Sequence, residues 1–433
     1  MLFNDAGRLD GSNFADLPGI PGETLSILFS DFNGDGTPDL LVGNDFEQPD
    51  IFYTGDGSGK LEIVTRQDGV IPYTTTTTMA IKTADLQNDG VPEIYLAQIA
   101  GRSSGVSDTL KMQPLGQYCD QIERPADRAV CDFNMEIKGW YKSGNNFDPG
   151  YANRCQSLPE PYQSECKAML IKDLAIQSRD PTLCELIPAR QSRARSFCRI
   201  HFQPVRTTSA AERDASIPQI LRSNVLLERS DGAAFSDRAE ERGLDVGGWS
   251  WDTKIADFDN DGFQDIYIVN GTWVPNEVSP SNLFFRNTGQ GNFIEASGPF
   301  GLEDYLMTAA ATAFDMDFDG DLDLITQPVN GPVTVFRNNT RTGQAIAFAI
   351  DDKIGNRNGI GAKITVRLAD GRTQSRELQL GGGFMSFDAP IAYFGLGVAE
   401  SIDGVRIDWT DGGTTDIAGP LAAGALFTIY RTP

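Results

Sequence analysis

The segment DFNGDGTPDLLVGND, residues 31–45, contains four aspartates, two asparagines and three glycines and includes a short apolar run. Carboxylates this close together repel one another unless a cation or hydrogen-bond donors compensate them. Related segments begin at Asp85, Asp257 and Asp315 and share the pattern D-x-[DNQ]-x-D-G-x-x-[DE] before a stretch typical of a β-strand. A repeated supersecondary unit predicts a repeat architecture.

The spacing within these loops fits a hard cation. Side-chain oxygens at positions 1, 3, 5 and 9, with the backbone carbonyl at position 7, supply the oxygen ligands that calcium prefers, and glycine at position 6 permits the sharp turn. An EF-hand needs a carboxylate at position 12 and flanking helices. Position 12 is instead Val42, Leu96, Ile268 or Thr326, and the flanks have strand character. The alternative is a set of acidic hairpin turns without metal.

Calcium is the favoured cation. Magnesium is the lesser candidate because it prefers strict octahedra with several bound waters. His201 is the only histidine, which disfavours zinc, haem and copper sites built on imidazole. The second loop has Gln87 at position 3 and Glu93 at position 9, so we expect it to bind more weakly.

The four loops resemble the FG-GAP/VCBS repeats of integrin-α-type β-propellers, in which each blade carries one calcium loop between its first two strands. The resemblance implies about four calcium sites. The ligands it implies are Asp31, Asn33, Asp35, Thr37 (backbone) and Asp39; Asp85, Gln87, Asp89, Val91 (backbone) and Glu93; Asp257, Asp259, Asp261, Phe263 (backbone) and Asp265; and Asp315, Asp317, Asp319, Asp321 (backbone) and Asp323.

The repeats also predict the domain organisation. We expect an all-β chain in which a β-propeller carries a Cys-rich helical insertion and is followed by a β-sandwich-like domain. The expected parts are 1–110, a half blade with blade 1 and the start of blade 2; 111–206, the insertion; 207–343, the rest of blade 2 with blades 3 and 4; and 344–433, the C-terminal domain. The half blade indicates either that residues preceding Met1 are missing or that a partner chain completes the ring.

All six cysteines lie in the insertion. Their spacing favours local disulfides, although six cysteines allow 15 connectivities. The expected pairs are Cys119–Cys131, Cys155–Cys166 and Cys184–Cys198, each closing a short helical hairpin. Disulfides predict an oxidising compartment: extracellular, periplasmic or cell surface. No secretory signal follows Met1, so the chain either stays inside the cell or is numbered from a point downstream of its natural start.

Charge is distributed unevenly along the chain. The net charge is −24, but residues 111–206 contain 14 Lys+Arg and 11 Asp+Glu, a balance of +3 that leaves −27 for the remainder. Such an acidic chain disfavours nucleic acids and anionic membranes as partners. The basic stretch Arg190–Arg199 is either a solvated helix face or a docking surface for an acidic partner, such as another copy of the propeller.

The C-terminal residues resemble the ASPIC/UnbV domain, which follows such repeats in cartilage acidic protein relatives and bacterial homologues. The motifs that carry the resemblance are NRNGIGAKITV, GGGFMSFDAP, YFGLG and VRIDWTDGG. The glycines of GGGF, residues 381–384, are expected to form a bulge or turn, with close approach to a ligand as the alternative.

No catalytic motif is evident: the chain has neither a G-x-S-x-G elbow nor a phosphate-binding loop. We therefore expect a calcium-binding module for protein interaction or adhesion, with no catalytic residues. The alternative is a carbohydrate-active lyase or dehydratase with its site in the propeller channel. WSWD, residues 249–252, could contact a sugar there, although its simpler interpretation is the first strand of blade 3.

Overall fold

A computed structural model shows that each acidic loop joins the first two strands of an antiparallel sheet. The structure describes residues 2–5, 8–14, 16–46, 48–99, 119–120, 122–142, 155–204, 206–221, 223–229, 232–271, 281–329, 331–340 and 342–433. The strands before the C-terminal domain are β1 (Leu2–Asp5), β2 (Arg8–Phe14), β3 (Glu23–Ser30), β4 (Asp39–Asp45), β5 (Ile51–Gly55), β6 (Leu61–Ile63), β7 (Thr74–Thr75), β8 (Thr78–Ala84), β9 (Glu93–Gln98), β10 (Gln219–Ile220), β11 (Val225–Arg229), β12 (Phe235–Asp237), β13 (Ser250–Ala256), β14 (Asp265–Asn270), β15 (Leu283–Asn287), β16 (Phe293–Glu295), β17 (Thr308–Phe314), β18 (Asp323–Pro328) and β19 (Thr334–Phe336).

These strands form propeller blades. Blade 1 is β3–β6, blade 2 is β8, β9, β11 and β12, blade 3 is β13–β16, and blade 4 is β17–β19. β1 and β2 form a separate hairpin, and β7 pairs with β10 in parallel. Within the described residues blade 4 has three strands, because the chain leaves it after Phe336 and enters the C-terminal domain.

Apolar side chains pack between successive blades. Leu28 and Phe52 of blade 1 share a core with Ile81 and Leu227 of blade 2, and similar cores join blade 2 to blade 3 and blade 3 to blade 4. The first strands of consecutive blades, β3, β8, β13 and β17, lie next to one another. The fold is therefore mostly β and propeller-like, as predicted.

The helical unit consists of the described residues in the range 132–207. The helices that the structure describes include Pro125–Lys142, Tyr162–Ser178, Ser192–Ile200, Ala210–Ala215 and Ala239–Arg242, with 3-10 turns at Arg66–Asp68, Pro181–Leu186 and Ala189–Gln191. Cys119 pairs with Cys131, Cys155 with Cys166 and Cys184 with Cys198, which matches the expected pairing. The predicted start of the insertion, at residue 111, lies outside the described residues. Among the helices of the described residues, none has the length and apolarity needed to cross a membrane.

The C-terminal domain is a sandwich of two sheets. Its strands are β20 (Gln344–Asp352), β21 (Lys363–Arg367), β22 (Thr373–Glu377), β23 (Ile391–Gly397), β24 (Ser401–Asp408), β25 (Thr414–Ala422) and β26 (Ala425–Arg431). The sheet β23-β20-β26 packs on β22-β21-β24-β25 around a core that includes Phe348, Ile364, Phe394 and Ile407.

Residues 379–388, here called the axial segment, connect the C-terminal domain to all four blades. Gly382 donates its N–H to the Ile27 carbonyl of β3 (2.8 Å) and accepts from the Ile81 N–H of β8 (2.9 Å). The Ser386 hydroxyl donates to Asp252 of β13. The Asp388 carboxylate accepts from the Ala313 N–H of β17 at 2.9 Å. The segment thus runs along the innermost strand of every blade.

Close approach explains the three consecutive glycines. A Cβ on Gly381 would lie 2.3 Å from the Ile27 carbonyl oxygen, one on Gly382 would lie 2.3 Å from that of Ile81, and one on Gly383 would lie 2.3 Å from Asp252 Oδ1. The expectation of a simple bulge or turn was therefore incomplete. These glycines bring the backbone against three different blades.

Candidate functional site

Each acidic loop is organised by its own backbone. The position 1 carboxylate accepts hydrogen bonds from the N–H groups of positions 5 and 6 in all four loops, at 2.8–3.2 Å. The position 5 carboxylate accepts from the position 7 N–H at 2.8–3.3 Å. The carboxylates at positions 1 and 5 are therefore held by the same backbone donors in every repeat.

Position 9 joins each loop to its sheet. In loops 3 and 4 the two oxygens of this carboxylate accept from the position 2 N–H and from the N–H at the end of the third strand. For Asp265 these donors are Phe258 (3.0 Å) and Asn287 (2.8 Å). For Asp323 they are Met316 (2.8 Å) and Asn338 (2.7 Å). Position 9 is thus both a candidate ligand and a structural acceptor.

Two positions of each loop have left-handed backbone. The glycines at position 6, predicted to allow the turn, have φ between +86° and +101°. The residue at position 4 is also left-handed, which the sequence did not reveal. These residues are Gly34 (+75°), Asn88 (+56°), Asn260 (+57°) and Phe318 (+60°). Gly and Asn tolerate this conformation, whereas Phe318 is strained in it.

We expect Phe318→Asn to stabilise the protein by about 1 kcal/mol, because Asn populates left-handed backbone more readily. The ring is 82% exposed, so little packing is lost. Thermal unfolding should show a rise in Tm of about 1 °C. Phe318→Ala is the control, because alanine also removes the exposed ring but has no side-chain amide to favour left-handed backbone. An equal gain from alanine would attribute the effect to removal of an exposed ring.

The carboxylates converge most tightly in loops 3 and 4. One oxygen from each of Asp257, Asp259 and Asp265 lies within 4.8 Å of the others, and the same holds for Asp315, Asp317 and Asp323. A second group in loop 4 joins Asp317, Asp319 and Asp321. Asp321 Oδ1 is buried without a hydrogen-bond partner. An all-oxygen donor set with an unsatisfied buried oxygen fits a hard cation such as calcium.

Loops 1 and 2 form no such three-carboxylate group within the described residues. Their position 3 residues are amides that donate to neighbouring acids. Asn33 Nδ2 lies 2.9 Å from Asp35 Oδ2, and Gln87 Nε2 lies 3.0 Å from Glu93 Oε1. In these two loops the amides compensate part of the acidic charge.

In loops 3 and 4 an arginine compensates part of the acidic charge. Arg286 Nε lies 2.5 Å from Asp259 Oδ2, and its Nη2 lies 2.9 Å from Asp261 Oδ2. Arg337 forms an ion pair with Asp317 in loop 4. Sequence reasoning missed both arginines. The signal that could have found them is the recurrence of Phe-Arg-Asn at the end of the third strand, in FFRN and VFRN.

Burial makes several candidate ligands weaker acids in the metal-free protein. It raises the pKa of Asp39 to about 7, of Glu93 to about 8 and of Asp257 to about 7. The pKa of Asp265 is raised well above its ordinary value, first by burial and then by Asp257 and Asp259. A bound cation would favour the ionised form of each group and oppose these shifts.

Adjacent blades are linked through the loops. The position 2 carbonyl of each of the first three loops accepts a hydrogen bond from the third strand of the next blade. Arg229 donates to Phe32 (2.9 Å), Asn287 to Leu86 (3.0 Å) and Asn338 to Phe258 (2.7 Å). Each of these loops is therefore tied to the following blade by a hydrogen bond.

The C-terminal domain contacts the loops. Glu377 of β22 accepts from the Asp31 N–H at 3.1 Å, and Lys363 Nζ donates to the Gly90 carbonyl at 2.7 Å. The Gly397 N–H donates to the carbonyl of Asn260 at 2.8 Å. Buried Arg376 interacts electrostatically with Asp257 and Asp85. A cavity of about 580 Å³ remains between loops 1 and 2 and this domain.

The WSWD stretch and His201, which the sequence also singled out, lie in or next to secondary-structure elements. The WSWD stretch belongs largely to β13, where Trp251 packs against Phe384 of the axial segment at 4.9 Å between ring centroids. Asp252 is fully buried and forms an ion pair with Lys254 at 3.2 Å. His201 follows the helix Ser192–Ile200, and its ring contacts Phe197.

Comparison with known families is consistent with this architecture. Residues 31–96, which contain loops 1 and 2, match the FG-GAP-like repeat, and residues 352–432 match the family described as ASPIC and UnbV. No curated protein matches the chain. The narrower likeness to cartilage acidic proteins stays a prediction.

Proposed function

We propose that this chain, an FG-GAP repeat protein with a C-terminal ASPIC and UnbV domain, is a calcium-stabilised propeller that binds a protein partner. Calcium would be held by the oxygen ligands of the four loops, whose charges it would compensate and whose conformation it would rigidify. The chain's own contribution is the backbone pattern that orients the position 1, 5 and 9 carboxylates before a cation arrives.

The observation that carries the interaction role is the apolar character of the two outer blade faces. Ile27 and Phe29 of β3 point away from the core shared with blade 2 and are 51% and 47% exposed. On blade 4, Val335 pairs with Ile325 on the face opposite the blade 3 core and is 47% exposed. In a closed propeller such faces are covered by neighbouring blades. We propose that a partner covers them here.

The helical unit offers a second surface. Tyr162, Met169 and Ile176 recur at intervals of seven residues along one helix and are 60%, 42% and 39% exposed. Residues so spaced lie near one another on a helix face. Exposed Phe197 lies on the arginine-rich helix Ser192–Ile200. This combination suits a partner with apolar and acidic groups, and a second copy of the acidic propeller is one such partner.

Three disulfides fit an extracellular or otherwise oxidising compartment, and we propose a secreted, periplasmic or cell-surface location. Extracellular calcium is abundant enough to fill weak sites. An adhesion or structural role would suit such a location.

The carbohydrate-active alternative stays a prediction. Its expected location, the channel beside the innermost strands, contains the axial segment, whose polar groups are engaged by the blades. No feature of the described residues favours it over a binding role.

Site-specific photo-crosslinking tests the interaction role. A photoreactive phenylalanine analogue at position 29 should give a discrete adduct when the protein is incubated with extract from its native source. The same analogue at Tyr430, which is 67% exposed in the C-terminal domain, is the matched control. Identical adducts from both positions, or none from position 29, would contradict the proposed surface. Purified protein alone would reveal self-association through the same residue.

A further inference from the structure

One residue near the end of the third strand of each blade differs systematically between the blades. The N–H groups of Gly55, Asn287 and Asn338 all donate to the position 9 carboxylate of their loop, so these three residues are structurally equivalent. Arg229 is their equivalent in blade 2 by its hydrogen bond to the preceding loop. The residues immediately before them are Thr54, Glu228, Arg286 and Arg337.

Position 3 of the loop changes together with this residue. It is an amide, Asn33 or Gln87, where the strand residue is Thr54 or Glu228. It is a carboxylate, Asp259 or Asp317, where the strand residue is arginine. The additional acid and the arginine therefore occur together, in blades 3 and 4.

Each arginine contacts candidate calcium ligands directly. Arg286 pairs with the acids at positions 3 and 5 of loop 3, and Arg337 contacts the corresponding Asp317 and Asp319 of loop 4. The two arginine side chains are 34% and 57% exposed, so each can turn towards solvent without breaking the core. In blade 2, Glu228 instead forms an ion pair with Arg242, away from the position 3 amide.

We propose that Arg286 and Arg337 are resident counter-charges that stabilise loops 3 and 4 without metal and compete with calcium for their carboxylates. This inference rests on the proposed calcium function. A guanidinium and a divalent cation beside the same carboxylates repel each other, so binding requires the arginine to move. The four loops then fall into two classes. In loops 1 and 2 the strand residue is Thr54 or Glu228, so no strand arginine has to be displaced, whereas in loops 3 and 4 the arginine lowers the calcium affinity and keeps the loop ordered without the cation.

Calorimetric titration of the calcium-free full chain with calcium tests the inference. The wild type should bind calcium, and the sites of loops 3 and 4 should be weaker than in variants that lack the arginine. Arg286→Thr, which installs the residue of blade 1, should move one weak site to higher affinity by at least about tenfold. The same variant should have a lower Tm in EGTA, because loop 3 loses its counter-charge. Arg337→Thr should act in the same way on loop 4.

Arg372→Thr is the matched control, because it removes an exposed Arg–Asp pair, with Asp370, that lies outside the loops. It should leave calcium affinity unchanged. Arg286→Gln is a second variant for the case that Arg286→Thr folds poorly. It keeps a hydrogen-bond donor without the charge and should also tighten calcium binding. Unchanged or weaker binding in both Arg286 variants, with normal binding by the wild type, would overturn this inference alone. Absence of calcium binding by the wild type would overturn the proposed calcium function itself.

Discussion

Removal of calcium should lower the Tm of the protein by more than about 10 °C. A ligand at one hundred times its Kd stabilises the folded state by about 2.7 kcal/mol per site, and four loops would add their contributions. Without a cation, the grouped carboxylates of loops 3 and 4 keep only their arginines and backbone donors as compensation. Thermal unfolding in calcium and in EGTA measures the effect.

Adding calcium back should restore the Tm, and magnesium should restore less of it, because magnesium demands near-ideal octahedral geometry and keeps several of its waters. The calcium-induced increase should also grow with pH. The folded-state pKa values of Asp39, Glu93 and Asp257 are raised, so the stability they provide as neutral acids is lost as pH rises through about 7 to 8. Identical Tm values with and without calcium at pH 8 would exclude calcium as a stabiliser.

Gly382→Ala should destabilise the protein by about 2 to 5 kcal/mol, because two costs combine. The backbone has φ of +73°, and the added Cβ would lie 2.3 Å from the Ile81 carbonyl oxygen. The axial segment would have to withdraw from blade 2 and would lose its hydrogen bonds to Ile27 and Ile81. Chemical denaturation measures the loss, and limited proteolysis should cleave the variant faster within residues 379–388.

Gly371→Ala separates the two costs. Gly371 has a similar φ of +87° but no atom within 4 Å of an added Cβ. This variant should lose only the conformational part, about 1 kcal/mol or slightly more. If both variants lost the same stability, the close approach of the axial segment to β8 would contribute nothing to the loss.

Short-range features were predictable from the sequence. The loop spacing, the strands beside each loop and the local cysteine pairs each depend on residues close together in the chain. The disulfides, for example, span separations of 12, 11 and 14 residues. At position 4 the pattern was hidden, because Phe318 breaks the Gly and Asn preference of the other loops.

Long-range features were not predictable. Arg286 reaches Asp259 across 27 residues, and a strand-end arginine is ordinarily solvent-exposed. The sequence around the glycines at 381–383 does not identify their partners, which are backbone carbonyls of blades 1 and 2 and the Asp252 side chain of blade 3. Placing them required knowing how the C-terminal domain sits against the acidic loops.

The axial segment also determines the order in which the protein can be completed during synthesis. A ribosome releases the chain from its N-terminus, so all four blades emerge before residues 379–388 exist. Gln379 must then find Ser30, 349 residues earlier in the chain. The nascent blades therefore have to remain accessible along their innermost strands until residues 379–388 have been synthesised. The segment that joins all the blades is therefore synthesised after every blade that it joins.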